Sequence, residues 1–223
     1  MIKYVIFDLD GTLVDTSEGI IESVQYTASV MGWKPISMNK LRSFIGPPLT
    51  WSFIRQYRCN EADAKLATKI FRQYYQQDAL LKAKVYDEVY SVCEELRTKG
   101  IKMSVATNKP DRFAKKILEF FQLTRYCKPI YGADDYGNLK KSDLIMSCLK
   151  DMVASLEETV LIGDTTNDAK GAEEAGVHFL AVTYGFGFKK KHDVMPYPTI
   201  GVAGSPSQIL QIITKESEDR LHE

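Results

Sequence analysis

The chain carries no excess charge of either sign: across 223 residues, 29 Lys and Arg offset 29 Asp and Glu. Nucleic-acid polymers are recognised through a basic excess, so they are not expected partners. Histidine is scarce, with three residues, and the four cysteines (Cys59, Cys93, Cys127, Cys148) form no CxxC pair. Zinc sites and thioredoxin-like redox motifs therefore lack their ligand spacing. The cysteines read as reduced thiols, because a chain of this size can build its core without cross-links. No stretch approaches the roughly 20 consecutive apolar residues of a membrane span. The opening Met1-Ile2-Lys3-Tyr4-Val5-Ile6-Phe7 is too short and too β-rich for the apolar region of a signal peptide. These absences predict a cytoplasmic protein without a membrane partner, and no oligomeric state is assigned. There is no internal repeat and no low-complexity tract.

What is present is ordinary for a soluble globular chain: 44% hydrophobic and 26% charged residues. Short β-branched apolar runs at 4–9, 101–106, 129–131, 159–162 and 177–183 read as buried strands. Between them, 86–99, 110–121, 141–152 and 167–175 carry apolar residues at helical spacing. Alternating strands and helices predict an α/β fold, a doubly wound and mainly parallel sheet covered on both faces. From about residue 17 to 82 no strand appears, only helical stretches such as 18–31 and 62–81, punctuated by Pro35 and Gly46-Pro47-Pro48. The expected organisation is a core of residues 1–15 and 83–223 with an inserted all-helical domain, 16–82. The charged tail, 215–223, is expected to fray.

Chemistry-bearing residues gather where strands end. The first strand runs into Asp8-Leu9-Asp10-Gly11-Thr12, and strand periodicity puts Asp8 and Asp10 on one side. Two carboxylates so close are unfavourable unless a cation or proton relieves the repulsion. Gly11 and Thr12 start a turn whose N–H groups are expected to form an anion-binding nest. That set suits a carboxylate nucleophile, a proton-shuttling second carboxyl and a cradle for phosphate oxygens. The next strand leads to Thr107-Asn108-Lys109-Pro110. Two readings of Thr107 stand side by side, a hydroxyl that holds phosphate and a plain helix N-cap.

The fourth strand ends in Gly163-Asp164-Thr165-Thr166-Asn167-Asp168. Asp164 and Asp168 can face one centre, and oxygen ligands at a strand mouth suit a hard ion such as Mg²⁺. The competing reading gives Asp168 a helix-dipole role only. In Lys140-Lys141, one lysine is a candidate to balance nucleophile and phosphate charge, against the ordinary reading of exposed lysines at a helix start. Taken together, the signals all follow separate strands, and ligands of open parallel sheets bind outside their carboxyl ends.

The stretch DLDGTLVD at 8–15, the strand ending in Thr107, the Lys141 loop and GDTTND at 163–168 resemble, in order, the four motifs of the haloacid dehalogenase-like hydrolases. The 16–82 insertion resembles the helical cap that one subgroup places after the first motif. The resemblance implies Asp8 as a nucleophile forming an aspartyl-phosphate, and Asp10 as the group that protonates the leaving alcohol and then activates water. It implies Mg²⁺ on Asp8, the backbone carbonyl of Asp10 and Asp164, with Asp168 completing or orienting the shell. Thr107 and Lys141 would hold the phosphoryl group, with Lys140 as runner-up to Lys141. Asp at position 10 points to a phosphatase or phosphomutase acting on a small phosphorylated metabolite.

Within that group the chain is most similar to phosphoglycolate phosphatases, for which Thr-Asn-Lys-Pro is typical. Phe44-Ile45-Gly46-Pro47-Pro48-Leu49 also resembles phosphatases acting on nucleoside 5′-monophosphates. β-Phosphoglucomutases share the core and cap type. A non-catalytic binding module would be expected to lose Asp8, Asp10, Lys141 or Asp164, and all are present. Gly11, Thr12, Asn108, Gly46, Arg42 and Arg55 are the candidate substrate contacts. An Arg would pair a small carboxylate, and Phe44 or Trp51 would either stack on a base or belong to the cap's own core.

Overall fold

The structure, a computed structural model, describes residues 1–134 and 138–219. It forms two compact units, Met1–Val14 with Val85–Glu223, and Asp15–Lys84.

The larger unit is an α/β sandwich. Its strands are β1 (Tyr4–Phe7), β4 (Lys102–Pro110), β5 (Cys127–Ala133), β6 (Thr159–Gly163), β7 (His178–Val182) and β8 (Gly201–Ala203). They form one sheet in the order β5-β4-β1-β6-β7-β8, and every pairing is parallel. Two remaining strands, β2 (Val14–Asp15) and β3 (Lys84–Val85), pair as a separate short ribbon. From β1 the chain builds outward to β4 and β5, then returns to β1's other side for β6, β7 and β8. The order therefore reverses around β1, which puts a crevice at the carboxyl ends of β4, β1 and β6.

Helices cover both faces: α5 (Val89–Thr98), α6 (Asp111–Phe120), α7 (Lys141–Met152), α8 (Thr166–Ala175), the short α9 (Lys191–Val194) and α10 (Pro206–Asp219). Because strand side chains alternate, Ile6, Ala106, Leu161, Phe179 and Ala181 pack under Leu144, Ile145, Ala169 and Ala172 of α7 and α8. Val5, Phe7, Val105, Ile162 and Leu180 are also fully buried, which is why these strands read as continuous apolar runs.

Three features differ from the sequence reading. β4 continues past residue 106 to Pro110: the continuously buried run 103–107 passes into an exposed Asn108 and a buried Lys109. β8 and α10 lie where no element was expected; three residues at a sheet edge are too few to show a period. α10 also runs through the first part of the charged tail, and residues 220–223 of that tail lie outside the described residues. The cysteines are free thiols, all but Cys59 buried, and no described helix is long and apolar enough to cross a membrane.

The smaller unit is helical: α1 (Ser17–Val30), α2 (Met38–Arg42), α3 (Leu49–Tyr57) and α4 (Glu61–Tyr74), which passes into a π-helical turn at Tyr75–Ala79. α4 starts where the Asn60 side chain accepts from the Asp63 amide at 2.8 Å. Phe44, Phe53, Tyr57 and Trp33 form its aromatic core, with Phe44 and Phe53 ring centres 4.9 Å apart.

Candidate active site

The turn after β1 presents Asp8 and Asp10. The Asp8 amide donates to the Ile162 carbonyl at 2.8 Å, carrying the ladder with β6 one residue past the strand. Leu9 is fully buried between the two carboxylates' positions, as period two requires. Gly11 sits at φ 81°, and a Cβ there would collide with the Asp164 carboxylate, so no other residue fits this corner. The expected phosphate nest at Gly11 and Thr12 is not formed. The Gly11 amide donates to the Val14 carbonyl at 2.9 Å, and the Thr12 amide to Leu9 at 3.3 Å. A turn this tight uses its own donors, so these two residues shape the site instead of gripping an anion from their N–H groups. Thr12 is fully buried, and its carbonyl accepts from the Tyr184 hydroxyl at 2.9 Å.

Lys141, the first residue of α7, reaches into this turn. Its ammonium donates to Asp8 Oδ1 at 2.8 Å and lies 2.6 Å from Asp168 Oδ1. Its stem crosses Gly171 of α8 so closely that a Cβ there would sit 2.5 Å from Lys141 Cγ. Lys140 instead is exposed at the helix N-cap, its amide held by Asp143. Burial alone would lower the Lys141 pKa, but the carboxylates of Asp168 and Asp8 outweigh it and hold the group above the ordinary lysine range. Asp168 also forms a capping box, its Oδ2 accepting from the Thr165 amide and hydroxyl at 2.9 and 2.6 Å. It therefore combines the helix-start role with a grip on Lys141.

Asp164 follows β6 and is fully buried. Its Oδ2 accepts from the amides of Phe186 and Gly187 at 2.6 and 3.0 Å. Oδ1 is buried with no hydrogen-bond partner. Burial, with Asp168 and Asp8 nearby, pushes the Asp164 carboxyl up to about 8, against the pull of the two amides. Burial likewise pushes Asp8 up to about 6, Lys141 opposing and Asp168 adding to the rise. Asp8, Asp164 and Asp168 offer oxygens that all lie within 4.8 Å of one another. An orphaned buried carboxylate oxygen and a purely oxygen donor set are what a hard divalent cation needs. The residues fit such an ion.

Thr107 is buried within β4, and its hydroxyl accepts from the Lys109 amide at 3.2 Å. It is not the N-cap of α6; that position is Pro110. Asn108 points outward, exposed. Lys109 was not singled out from the sequence, yet its side chain is 5% exposed and its ammonium lies 3.0 Å from Asp10 Oδ2. The signal was present in Thr-Asn-Lys-Pro, where period two sets Lys109 on the same side as Thr107.

In the helical unit, Arg42 at the end of α2 and Gly46 in the loop to α3 are exposed. Arg55 lies over the ring of the half-exposed Trp51, 4.9 Å from its centre. Phe44 is 2% exposed and belongs to the aromatic core, so it has no ring face left for a base.

The family model for haloacid dehalogenase-like hydrolases matches residues 5–182. Over 184 residues the chain is 37% identical to a 5′-nucleotidase of Pseudomonas aeruginosa, covering 82% of this chain and 83% of that protein. A phosphoglycolate phosphatase of the same organism is 31% identical over 193 residues, covering 82% and 70%. The crystal structure of a predicted phosphatase from Clostridium acetobutylicum superposes with a TM-score of 0.87 at 32% identity, covering 96% of this chain and 99% of that one.

Proposed function

The chain belongs to the haloacid dehalogenase-like hydrolases and is a phosphoric monoester hydrolase, and from that premise we propose that it cleaves a small phosphomonoester by way of an aspartyl-phosphate on Asp8. The observation that supports this reading best is the buried ammonium of Lys141 on Asp8 Oδ1. It orients the carboxylate and offsets its charge as an anionic phosphoryl group approaches. Asp10 gives a proton to the departing alcohol in the first half-reaction and takes one from water in the second. Thr107 and Lys141 hold phosphoryl oxygens. Asp8, the Asp10 carbonyl and Asp164 would hold Mg²⁺, with Asp168 orienting the set through Lys141; the ion would supply charge neutralisation for the transferring group. Such a reaction on a metabolite fits a cytoplasmic enzyme.

For the substrate, nucleoside 5′-monophosphates lead, on the 37% identity to the 5′-nucleotidase and the Phe44–Leu49 hexapeptide. Phosphoglycolate is the second reading, on the 31% relative and on Thr-Asn-Lys-Pro. Phosphate release from UMP, GMP, phosphoglycolate and β-glucose 1-phosphate with Mg²⁺ tests both. A preference for the nucleotides is expected. Preference for phosphoglycolate would reverse the order, and glucose 6-phosphate formation without net release would replace hydrolysis by phosphomutase chemistry.

A second expectation concerns the ion. Asp164→Asn keeps the shape of the side chain but removes the charge from the orphaned Oδ1. The Mg²⁺-dependent rise in melting temperature expected for the native protein should vanish, and the Mg²⁺ needed for half-maximal activity should rise at least about tenfold. An unchanged melting response to Mg²⁺ would remove Asp164 from the ligand set.

A further inference from the structure

β4 carries an irregularity that places a second lysine in the site. Against β5, Thr107 pairs with Gly132 and Pro110 with the very next residue, Ala133. Two residues of β4, Asn108 and Lys109, are therefore accommodated where β5 advances by one step. Extra residues in one strand bend the chain and re-aim side chains. Here the result is an exposed Asn108 and an inward Lys109, with the Lys109 amide anchored on Thr107 Oγ1 at 3.2 Å. Pro110 follows with its restricted φ and no amide to donate.

The direction taken by Lys109 is chemically specific. An ammonium whose side chain is 5% exposed is costly to bury and needs an anionic partner. Asp10 is such a partner, its Oδ2 3.0 Å from the ammonium and its side chain 19% exposed. Lys141 meanwhile serves Asp8 and Asp168. Each of the two carboxylates after β1 thus faces a different lysine, one from the end of β4 and one from the start of α7.

We propose that Lys109 is a positioning residue for proton transfer: its ammonium, 3.0 Å from Asp10 Oδ2, holds the Asp10 carboxyl in the orientation from which it meets the leaving oxygen. The inference rests on the reading of Asp10 as acid and base. In the first half-reaction the Asp8–phosphorus bond forms and the ester P–O bond breaks, while the Asp10 proton moves to the ester oxygen. In the second, water attacks phosphorus, the Asp8–phosphorus bond breaks, and Asp10 takes the water proton.

Leaving-group dependence tests this role. An alkoxide needs a proton to depart, whereas p-nitrophenolate leaves without one. For Lys109→Met, kcat/KM on an alkyl phosphate should fall about 10²-fold, but on p-nitrophenyl phosphate by no more than about threefold. Lys109→Gln, which keeps a donor without the charge, should fall between native and Met on the alkyl substrate, and it carries the same test if the Met variant fails to fold. Loss that is equal on both substrates, or no loss on either, would overturn the proposal. Asp10→Asn separates this failure from failure of the underlying reading. If Asp10→Asn discriminates between leaving groups and the Lys109 variants do not, Lys109 alone is wrong; if Asp10→Asn shows no discrimination, the acid role falls, and the positioning role with it.

Discussion

Asp8→Asn is expected to abolish turnover, by at least about 10⁴-fold in kcat, while leaving the protein at least as stable as the native chain in the absence of metal. The two halves have separate causes. An amide of the same shape cannot attack phosphorus, and the neighbouring groups are committed elsewhere: Lys141 is charged, Asp168 has both oxygens engaged by Lys141 and Thr165, and Asp164 has Oδ2 held by two backbone amides and Oδ1 left for the ion. Stability follows from the sign of the Asp8 shift. Burial, the largest cause, raises its pKa from 3.8 to about 6, so between those values the folded protein binds more protons than the unfolded one. That group's contribution to stability is present at low pH and is lost as pH rises through about 6. An amide never ionises and avoids this cost at pH 8. Lys141 keeps Asp168 as its partner in the variant. Thermal unfolding with EDTA at pH 5 and pH 8 checks the second half; a variant much less stable than native at pH 8 would show that the Asp8 charge supports the fold.

The carboxylates were legible because Asp8 and Asp164 each follow a buried strand, with Asp168 one helical turn on from Asp164, and a parallel sheet can gather residues from distant strand ends. Asp8 is remote in sequence from Asp164 and Asp168, and the three come together within 4.8 Å. Lys141 was legible only as one of two adjacent lysines. The choice between them depends on helix phase at α7: the N-cap points out, and the next residue turns inward over Gly171. Other features depend on information a linear reading does not hold. Gly11 and Thr12 look like a phosphate cradle until the carbonyls of Val14 and Leu9 are seen to take their amides. Lys109 was missed because residue 106 was taken as the strand's end, so the period-two match of Lys109 with Thr107 was never applied. Phe44 was assigned two roles, and only the packing of Phe53 and Tyr57 around it decides for the core.

Lys141→Met should damage fold and activity together, unlike Asp8→Asn. The Lys141 side chain is 2% exposed and sits between Asp8 and Asp168, each also nearly inaccessible. Removing one partner of a buried ion pair leaves the other charge uncompensated, at a cost of about 3–5 kcal/mol; here two carboxylates lose the same cation. Activity should fall about 10³-fold, since the missing charge faces the site where phosphoryl charge develops. Arginine will not restore it: the stem passes over Gly171 with no space for even a Cβ on that residue, and a planar guanidinium is wider than an ammonium. The pH dependence distinguishes lost charge from lost packing. Without Lys141, whose charge opposes the rise, the Asp8 carboxyl is held still further above its unfolded value, so protonating it restores stability. Denaturant unfolding with EDTA should therefore show a deficit against native that is largest at pH 8 and shrinks towards pH 5. A deficit constant across that range would mean that Lys141 matters through its methylene stem, and the charge balance argued for the site would be wrong.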